Sequence, residues 1–210
     1  MIEVIKYNLP DFDIFNTDLK FEVSVWRPER TFLVIGQSND AERSLKTDLV
    51  LRDNILVYKR PSGGEAVIIT PNTLVISLVF KTDKLLNPKE YFAKINQAII
   101  AALQHNGVED LHQKGISDIA IGEKKIAGSS IYRKPDKVFY HAVLNVSEKP
   151  EVIARYLLHP QKEPDYRQGR DHSEFVTSLA EEGYMIDPEI LRYDLEKELG
   201  TLTFTLISKV

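Results

Sequence analysis

Five strand-like runs crowd the first third of the chain with space for only one short helix among them, an order that excludes regular βαβ alternation. Phe21–Trp26, Thr31–Ile35, Ile55–Lys59, Ala66–Thr70 and Thr73–Phe80 are rich in β-branched and aromatic residues, which suit a pleated, half-buried surface. Pro28, Asn54 and Pro71-Asn72 punctuate them. Between the second and third runs, Asp40–Asp53 sets Leu45, Leu49 and Val50 at helical spacing, with Asn39 or Asp40 placed to cap the start. A longer helix follows at Pro88–Gln104, capped by Asn87, stopped by Gly107 and carrying Phe92, Ile95, Ile99, Ala102 and Leu103 on one stripe. Ile116–Ile121, a Gly122-Glu123 turn and Lys124–Tyr132 read as a hairpin, and a Lys134–Lys137 turn leads into a strand at Val138–Val146. Helices near Pro150–Leu158 and from Asp187-Pro188 to Gly200, then a closing strand at Leu202–Ile207, complete the pattern. The expected fold is α+β: a mixed, mainly antiparallel sheet with helices packed on it.

The 210 residues are 43% hydrophobic, enough for one sizeable core, and against a prior of roughly 150 residues per domain the chain reads as a single domain over 1–210. A formal net charge of −4 leaves no basic field to hold nucleic acid or acidic lipid. No run reaches the ~20 apolar residues of a membrane span, so the expected setting is the cytoplasm. Cysteine is absent, which removes thiol nucleophiles, thiolate metal sites and disulfides together. The five histidines show no close ligand spacing, so no structural metal is expected.

Two segments are candidates for chemistry. Lys59-Arg60-Pro61-Ser62-Gly63-Gly64-Glu65-Ala66-Val67 is a Gly-Gly loop between strands with a cation at its mouth. Adjacent glycines let backbone amides approach an anion, and Arg60 offers a bidentate fork; the same residues also make an ordinary turn. In Ser117–Ser130, Asp118 lies on one hairpin strand and Lys125 on the other, with Gly128-Ser129 beyond. Alternation separates Lys125 from Lys124 and Ile126 and sends it either into a pocket or to solvent. The polar stretch His159–Arg170, about twelve residues long, has the length of a functional loop.

Taken in order, Gly36-Gln37-Ser38-Asn39, Arg60 with Ser62–Val67, Asp118 with Lys125–Ser129, His141, and Arg170 followed by Phe175-Val176-Thr177-Ser178-Leu179 resemble the motifs of the lipoate–protein ligase A and octanoyltransferase superfamily. The resemblance covers about Thr31 to Leu179. It implies a biotin-ligase-like α+β catalytic domain in which Lys125 is the catalytic cation. It further implies that Arg60, Ser62, Gly63, Gly64, Ala66, Val67, Asp118, Ala127, Gly128, Ser129 and His141 bind substrate, while Arg167, Arg170 and His172 form a local cationic patch in an acidic chain, expected to contact phosphate or an acceptor domain.

The implied activity is that of an ATP-dependent lipoate–protein ligase. Lipoate or octanoate would react with ATP, accompanied by Mg, to give an acyl-adenylate and pyrophosphate, and the acyl group would pass to a lysine of a lipoyl-acceptor domain. Because the thioester route of some relatives needs a thiolate, the alternatives for this chain are a nucleotide-independent transferase or a non-catalytic acyl- or lipoyl-domain-binding protein. Glu65 stands where the family loop commonly has a third glycine; beside a polyphosphate its carboxylate must turn away or help hold magnesium. The length after Leu179 is expected to be too short for the ligase accessory domain, so a separate subunit, or none, is expected in its place.

Overall fold

The computed structural model describes residues 2–82 and 86–202, and the expected closing strand falls, after Leu202, outside them. In chain order the elements are β1 (Val4–Lys6), α1 (Phe12–Phe15), β2 (Phe21–Trp26), β3 (Phe32–Ile35), α2 (Ala41–Ser44), α3 (Thr47–Arg52), β4 (Leu56–Lys59), β5 (Val67–Ile69) and β6 (Thr73–Lys81). There follow α4 (Pro88–His105), β7 (Leu111–Lys114), β8 (Asp118–Ile121), β9 (Lys124–Lys134), β10 (Lys137–Asn145), α5 (Pro150–Tyr156), α6 (His172–Phe175) and α7 (Pro188–Gly200).

Among the described residues the strands divide into two sheets. One has four strands in the order β1-β4-β3-β5, with β4 parallel to both neighbours, and the other has six antiparallel strands in the order β2-β6-β10-β9-β8-β7. Period-2 alternation assigns the faces. In β6 and β10, Leu74, Ile76, Leu78, Phe80, Val138, Tyr140, Ala142 and Leu144 pack with the stripe of α4 and with Leu191, Leu195 and Leu199 of α7. In β3, Leu33 and Ile35 face α2, α3 and α5. Its other residues, Phe32 and Val34, join Tyr58, Ile69 and Val75 in a layer between the sheets.

The helix ends follow the sequence. Asn87 and Glu90 form a capping box at the start of α4, Asp187 accepts from the amides of Glu189 and Ile190, and Asp40 accepts from Arg43 N. The single short helix expected in Asp40–Asp53 is broken into α2 and α3, because Leu45 turns to extended backbone and forms a bridge with Leu157. Among the described residues no helix is long and apolar enough to cross a membrane.

Candidate functional site

A cleft of about 1020 Å³ opens between the two sheets, and a second cavity of about 160 Å³ adjoins it. Ala66, Val67, Lys125, Gly128 and Val143 line both, so Lys125 stands at the junction. A β-bulge aims it: Ala120 pairs with Lys125 and Ile119 with Ala127, which leaves Ile126 as the extra residue. The strand is fixed there by the late motif, since Thr177 N donates to Lys125 O at 2.9 Å. Lys125 Nζ lies 2.8 Å from Asp118 Oδ1, and Tyr166 OH donates to Asp118 Oδ2 at 2.9 Å. Burial, then the Asp118 charge, pushes the Tyr166 phenol up, so it serves as a fixed donor. Gly128 makes space for the lysine: a Cβ there would lie 2.5 Å from Nζ and 2.7 Å from Cε.

The Gly-Gly loop is held by Arg60, which is 5% exposed. Its Nε and Nη2 donate to Gly63 O at 3.2 and 2.8 Å, Nη2 also donates to Glu65 O at 2.8 Å, and Nη1 donates to Val34 O at 3.3 Å. Burial lowers the guanidinium to about 10, which leaves it charged at neutral pH. The fork expected to grip a ligand anion is thus occupied by loop carbonyls. Because a trans peptide points its N–H opposite to its C=O, the amides of Gly64 and Ala66 face away from Arg60, and both residues line the cleft. Gly64 adopts φ +92°, which favours glycine.

Other expected residues take different places. Ser62 is 1% exposed and sits behind the wall, with its hydroxyl 2.5 Å from His141 Nε2, whereas Gly63 is on the outer surface of the loop. Ser129 spends its hydroxyl on Ser117 O at 2.8 Å. Ala127 lines the smaller cavity. Glu65 accepts from Asn39 Nδ2 at 3.2 Å and from Lys162 N at 3.3 Å, so its carboxylate holds the His159–Arg170 segment over the cleft.

Arg167 is 4% exposed, out of reach of a docking protein, and lines the smaller cavity, its Nη2 without a hydrogen-bond partner among the described residues. Arg170 donates to Arg167 O, Tyr166 O and Glu123 O, and both guanidinium groups lie over the Phe175 ring, at 4.7 and 5.3 Å. This arginine pair sews its own loop down. Ser130 and Tyr166 lie inside segments the sequence marks, Ser117–Ser130 and His159–Arg170, but neither has a role of its own there, and Asp11 lies outside every motif; all three gain their places from strands and loops distant in the chain.

A family model described as the lipoyl protein ligase A/B catalytic domain matches residues 21–199. The lipoate-protein ligase A of Psychrobacter cryohalolentis is 30% identical over 154 residues, which are 72% of this chain and 42% of that protein. The chain therefore spans less than half the length of that relative. Among solved structures, a bi-partite lipoate protein ligase from Thermoplasma acidophilum, described with its E2 lipoyl domain, superposes with a TM-score of 0.79 at 19% identity, covering 100% of this chain and 85% of that one. A lipoate-protein ligase A bound with ATP gives 0.75 at 20% identity, covering 100% and 86%.

Proposed function

Since the chain belongs to the lipoyl protein ligase A/B catalytic-domain family, we propose that it activates lipoate or octanoate with ATP and transfers the acyl group to a lysine of a lipoyl domain. The observation that carries this reading is the position of Lys125, an amine held by Asp118 where the long cleft meets the smaller cavity. An apolar acid needs an apolar slot for its tail and a cation for its carboxylate. Val34, Ile69, Val75 and Val143 supply the slot and Lys125 the cation.

In the activation step a carboxylate oxygen attacks the α-phosphate, pyrophosphate leaves, and a mixed anhydride forms. Lys125 meets the charge that builds there, in a site where a fixed cation counts for more than it does in water. The outward amides of Gly64 and Ala66 add donors to the same end. Arg60 acts by holding that loop, and His141 by lining the cleft. Asp118 and Tyr166 keep the lysine aimed. In the smaller cavity, the unpartnered Arg167 Nη2 is suited to a phosphate or another polar group of the nucleotide.

Among the described residues no cluster of three or more His, Asp or Glu side chains is placed to hold a metal, and Glu65 and Asp118 are already engaged. Magnesium would therefore enter with the nucleotide and neutralise its phosphates. We read the chain as one catalytic domain acting in the cytoplasm, where ATP is supplied. A separate accessory subunit fits this reading, as in the bi-partite Thermoplasma enzyme.

Incubation with ATP, lipoate and a lipoyl domain should add one lipoyl group by mass spectrometry, with pyrophosphate released. Lys125→Ala should abolish both while leaving the fold intact, since a partly exposed strand lysine adds little to the core. Wild-type pyrophosphate release from folded Lys125→Ala would remove the lysine from its role.

A further inference from the structure

Strand register sets a polar row across the inter-sheet face of the six-stranded sheet: Ser77 pairs with His141 and His141 with Ser130. Behind this row lies Asp11, fully buried at 0% exposure. It precedes the residues matched by the family model, 21–199. Tyr7 OH donates to Asp11 Oδ1 at 2.8 Å and Ser77 Oγ to Oδ2 at 2.9 Å, while His141 Nδ1 lies 3.9 Å from Oδ2. On the cleft side, Ser130 Oγ is 2.6 Å from Ser62 Oγ and 2.9 Å from His141 Nε2. Ser130 and His141 line the cleft.

The donors and acceptors can be assigned. With Nδ1 facing a carboxylate, the neutral imidazole carries its proton there, so Nε2 must accept. Ser62 then donates to Nε2 and Ser130 donates inward, which leaves the Ser130 lone pairs turned to the cleft. A buried carboxylate with no Lys or Arg bonded to it is costly to keep, and here its effect is to make the cleft wall an acceptor. The acyl carboxylate and the phosphoryl oxygens at the reacting end are themselves acceptors, and the donors of the nucleotide, on its base and sugar, take no part in the bond-making. The one ligand group of the proposed reaction that must lose protons is the amine of the acceptor lysine.

We propose that Asp11, acting through His141 and Ser62, makes Ser130 Oγ the proton acceptor for the lysine amine that attacks the activated acyl group. The inference rests on the ligase reading above. The amine nitrogen forms the C–N bond, and the C–O bond to phosphate breaks with its electron pair leaving on the nucleotide. The surplus N–H proton goes to Ser130, Ser130 passes its own to Ser62, Ser62 to His141 Nε2, and His141 gives its Nδ1 proton to Asp11, each group gaining one and losing one until the carboxylate. The last step spans the 3.9 Å between His141 Nδ1 and Asp11 Oδ2, so it requires the ring to swing toward the carboxylate.

The energetics suit relay rather than storage. Burial, then the Arg60 charge, holds His141 down to about 3, so it passes a proton on, whereas burial raises Asp11 to about 6, high enough to receive one. The groups facing Asp11 are Tyr7 from the N-terminal segment, Trp26 from β2, Ser77 from β6 and His141 from β10, and the Arg60 charge acts on Tyr7 and His141.

The two half-reactions are measured separately: pyrophosphate release from ATP and lipoate, and transfer from preformed lipoyl-adenylate to a recombinant lipoyl domain. In Asp11→Asn and in Ser130→Ala the ratio of transfer to activation should fall about tenfold or more. Wild-type transfer should fall more steeply below about pH 6, where Asp11 takes up its proton, and Asp11→Asn should keep only the shallower decline that protonation of the acceptor lysine imposes on both proteins. A ratio unchanged in both variants, equal losses in both halves, or the same steepening below about pH 6 in Asp11→Asn would overturn the relay. If Asp11→Asn does not fold, Ser130→Ala and the wild-type pH profile still decide the matter. Absence of pyrophosphate release from the wild type would instead overturn the ligase reading, and the relay with it.

Discussion

His141 illustrates how much a single side chain's surroundings determine. A mid-strand histidine in Phe139-Tyr140-His141-Ala142 is ordinarily a satisfied sheet residue, and its burial holds the imidazole down to about 3 from 6.5. The unfolded chain therefore binds more protons than the folded one between those values, so the stability gained by keeping the ring neutral is fully present above 6.5 and is lost as pH falls toward 3. Asp11 works in the opposite sense, losing stability as pH rises from 3.8 through about 6. Because His141→Gln retains Asp11, the wild type should lose its urea midpoint faster than the variant as pH is lowered from about 7 to about 4. Parallel curves would mean that the ring is not held neutral. Two glycines separate close approach from plain turn chemistry. Gly128→Ala must displace the lysine amine from Asp118, so activation should drop about tenfold or more with little change in melting. Gly63→Ala meets nothing within 4 Å and should be tolerated, and equal loss in the two would refute the distinction. Strand alternation, a property of its own segment, separates Lys125 from Lys124 and Ile126 but leaves pocket and solvent both open, and the bulge that aims it at the cleft depends on pairing with β8. The occupation of Arg60 was invisible, since its acceptors include a carbonyl of β3, 26 residues away.

Elements whose signals are local matched their expectations, and those made by pairing did not show themselves. The helix α4 carries its cap, its stripe and its stop within its own residues, and it runs Pro88–His105 against an expected Pro88–Gln104. By contrast β7, Leu-His-Gln-Lys, pairs among the described residues with β8 alone, and its polar residues present no alternation to read. The three-residue β1 is too short to stand out until β4 pairs with it. His159–Arg170 was marked as functional by length alone; the structure places Gln161–Tyr166 over the cleft, held at one point by Glu65 on Lys162 N and at another by Tyr166 on Asp118. Glu65→Gly removes the first tie without touching the core. Tryptic cleavage at Lys162 or Arg167 should then quicken several-fold while the melting temperature moves by no more than about 2 °C. Unchanged cleavage kinetics would show that Glu65 does not hold the segment.

The functional cleft and the packing layer between the two sheets are built from the same residues: Tyr7, Val34, Ile69 and Val75 belong to that layer and also line the cleft. Composition and strand content indicated α+β but not the separation into two sheets, because period-2 alternation gives each strand two faces without saying which partner covers which. A ligand seated there bridges both sheets and is coupled to the folding of the whole molecule. A compound that binds only the folded state stabilises it by RT ln(1 + [L]/Kd), about 2.7 kcal/mol at a hundred times Kd. At roughly 2–4 °C per kcal/mol for a chain of this size, a non-hydrolysable lipoyl-adenylate analogue should raise Tm by about 5–10 °C at that ratio. Lys125→Ala should largely remove the shift at the same concentration by weakening binding. Leu103→Ala supplies the contrast. It empties a site on α4 that is 0% exposed and lies on the far side of the six-stranded sheet from the cleft, so it should lower stability by about 2–5 kcal/mol. Distant sites without shared partners add, so the analogue should raise the Tm of Leu103→Ala by the same increment as in the wild type. A shift that survives intact in Lys125→Ala, or one that collapses in Leu103→Ala, would place the ligand somewhere other than this cleft.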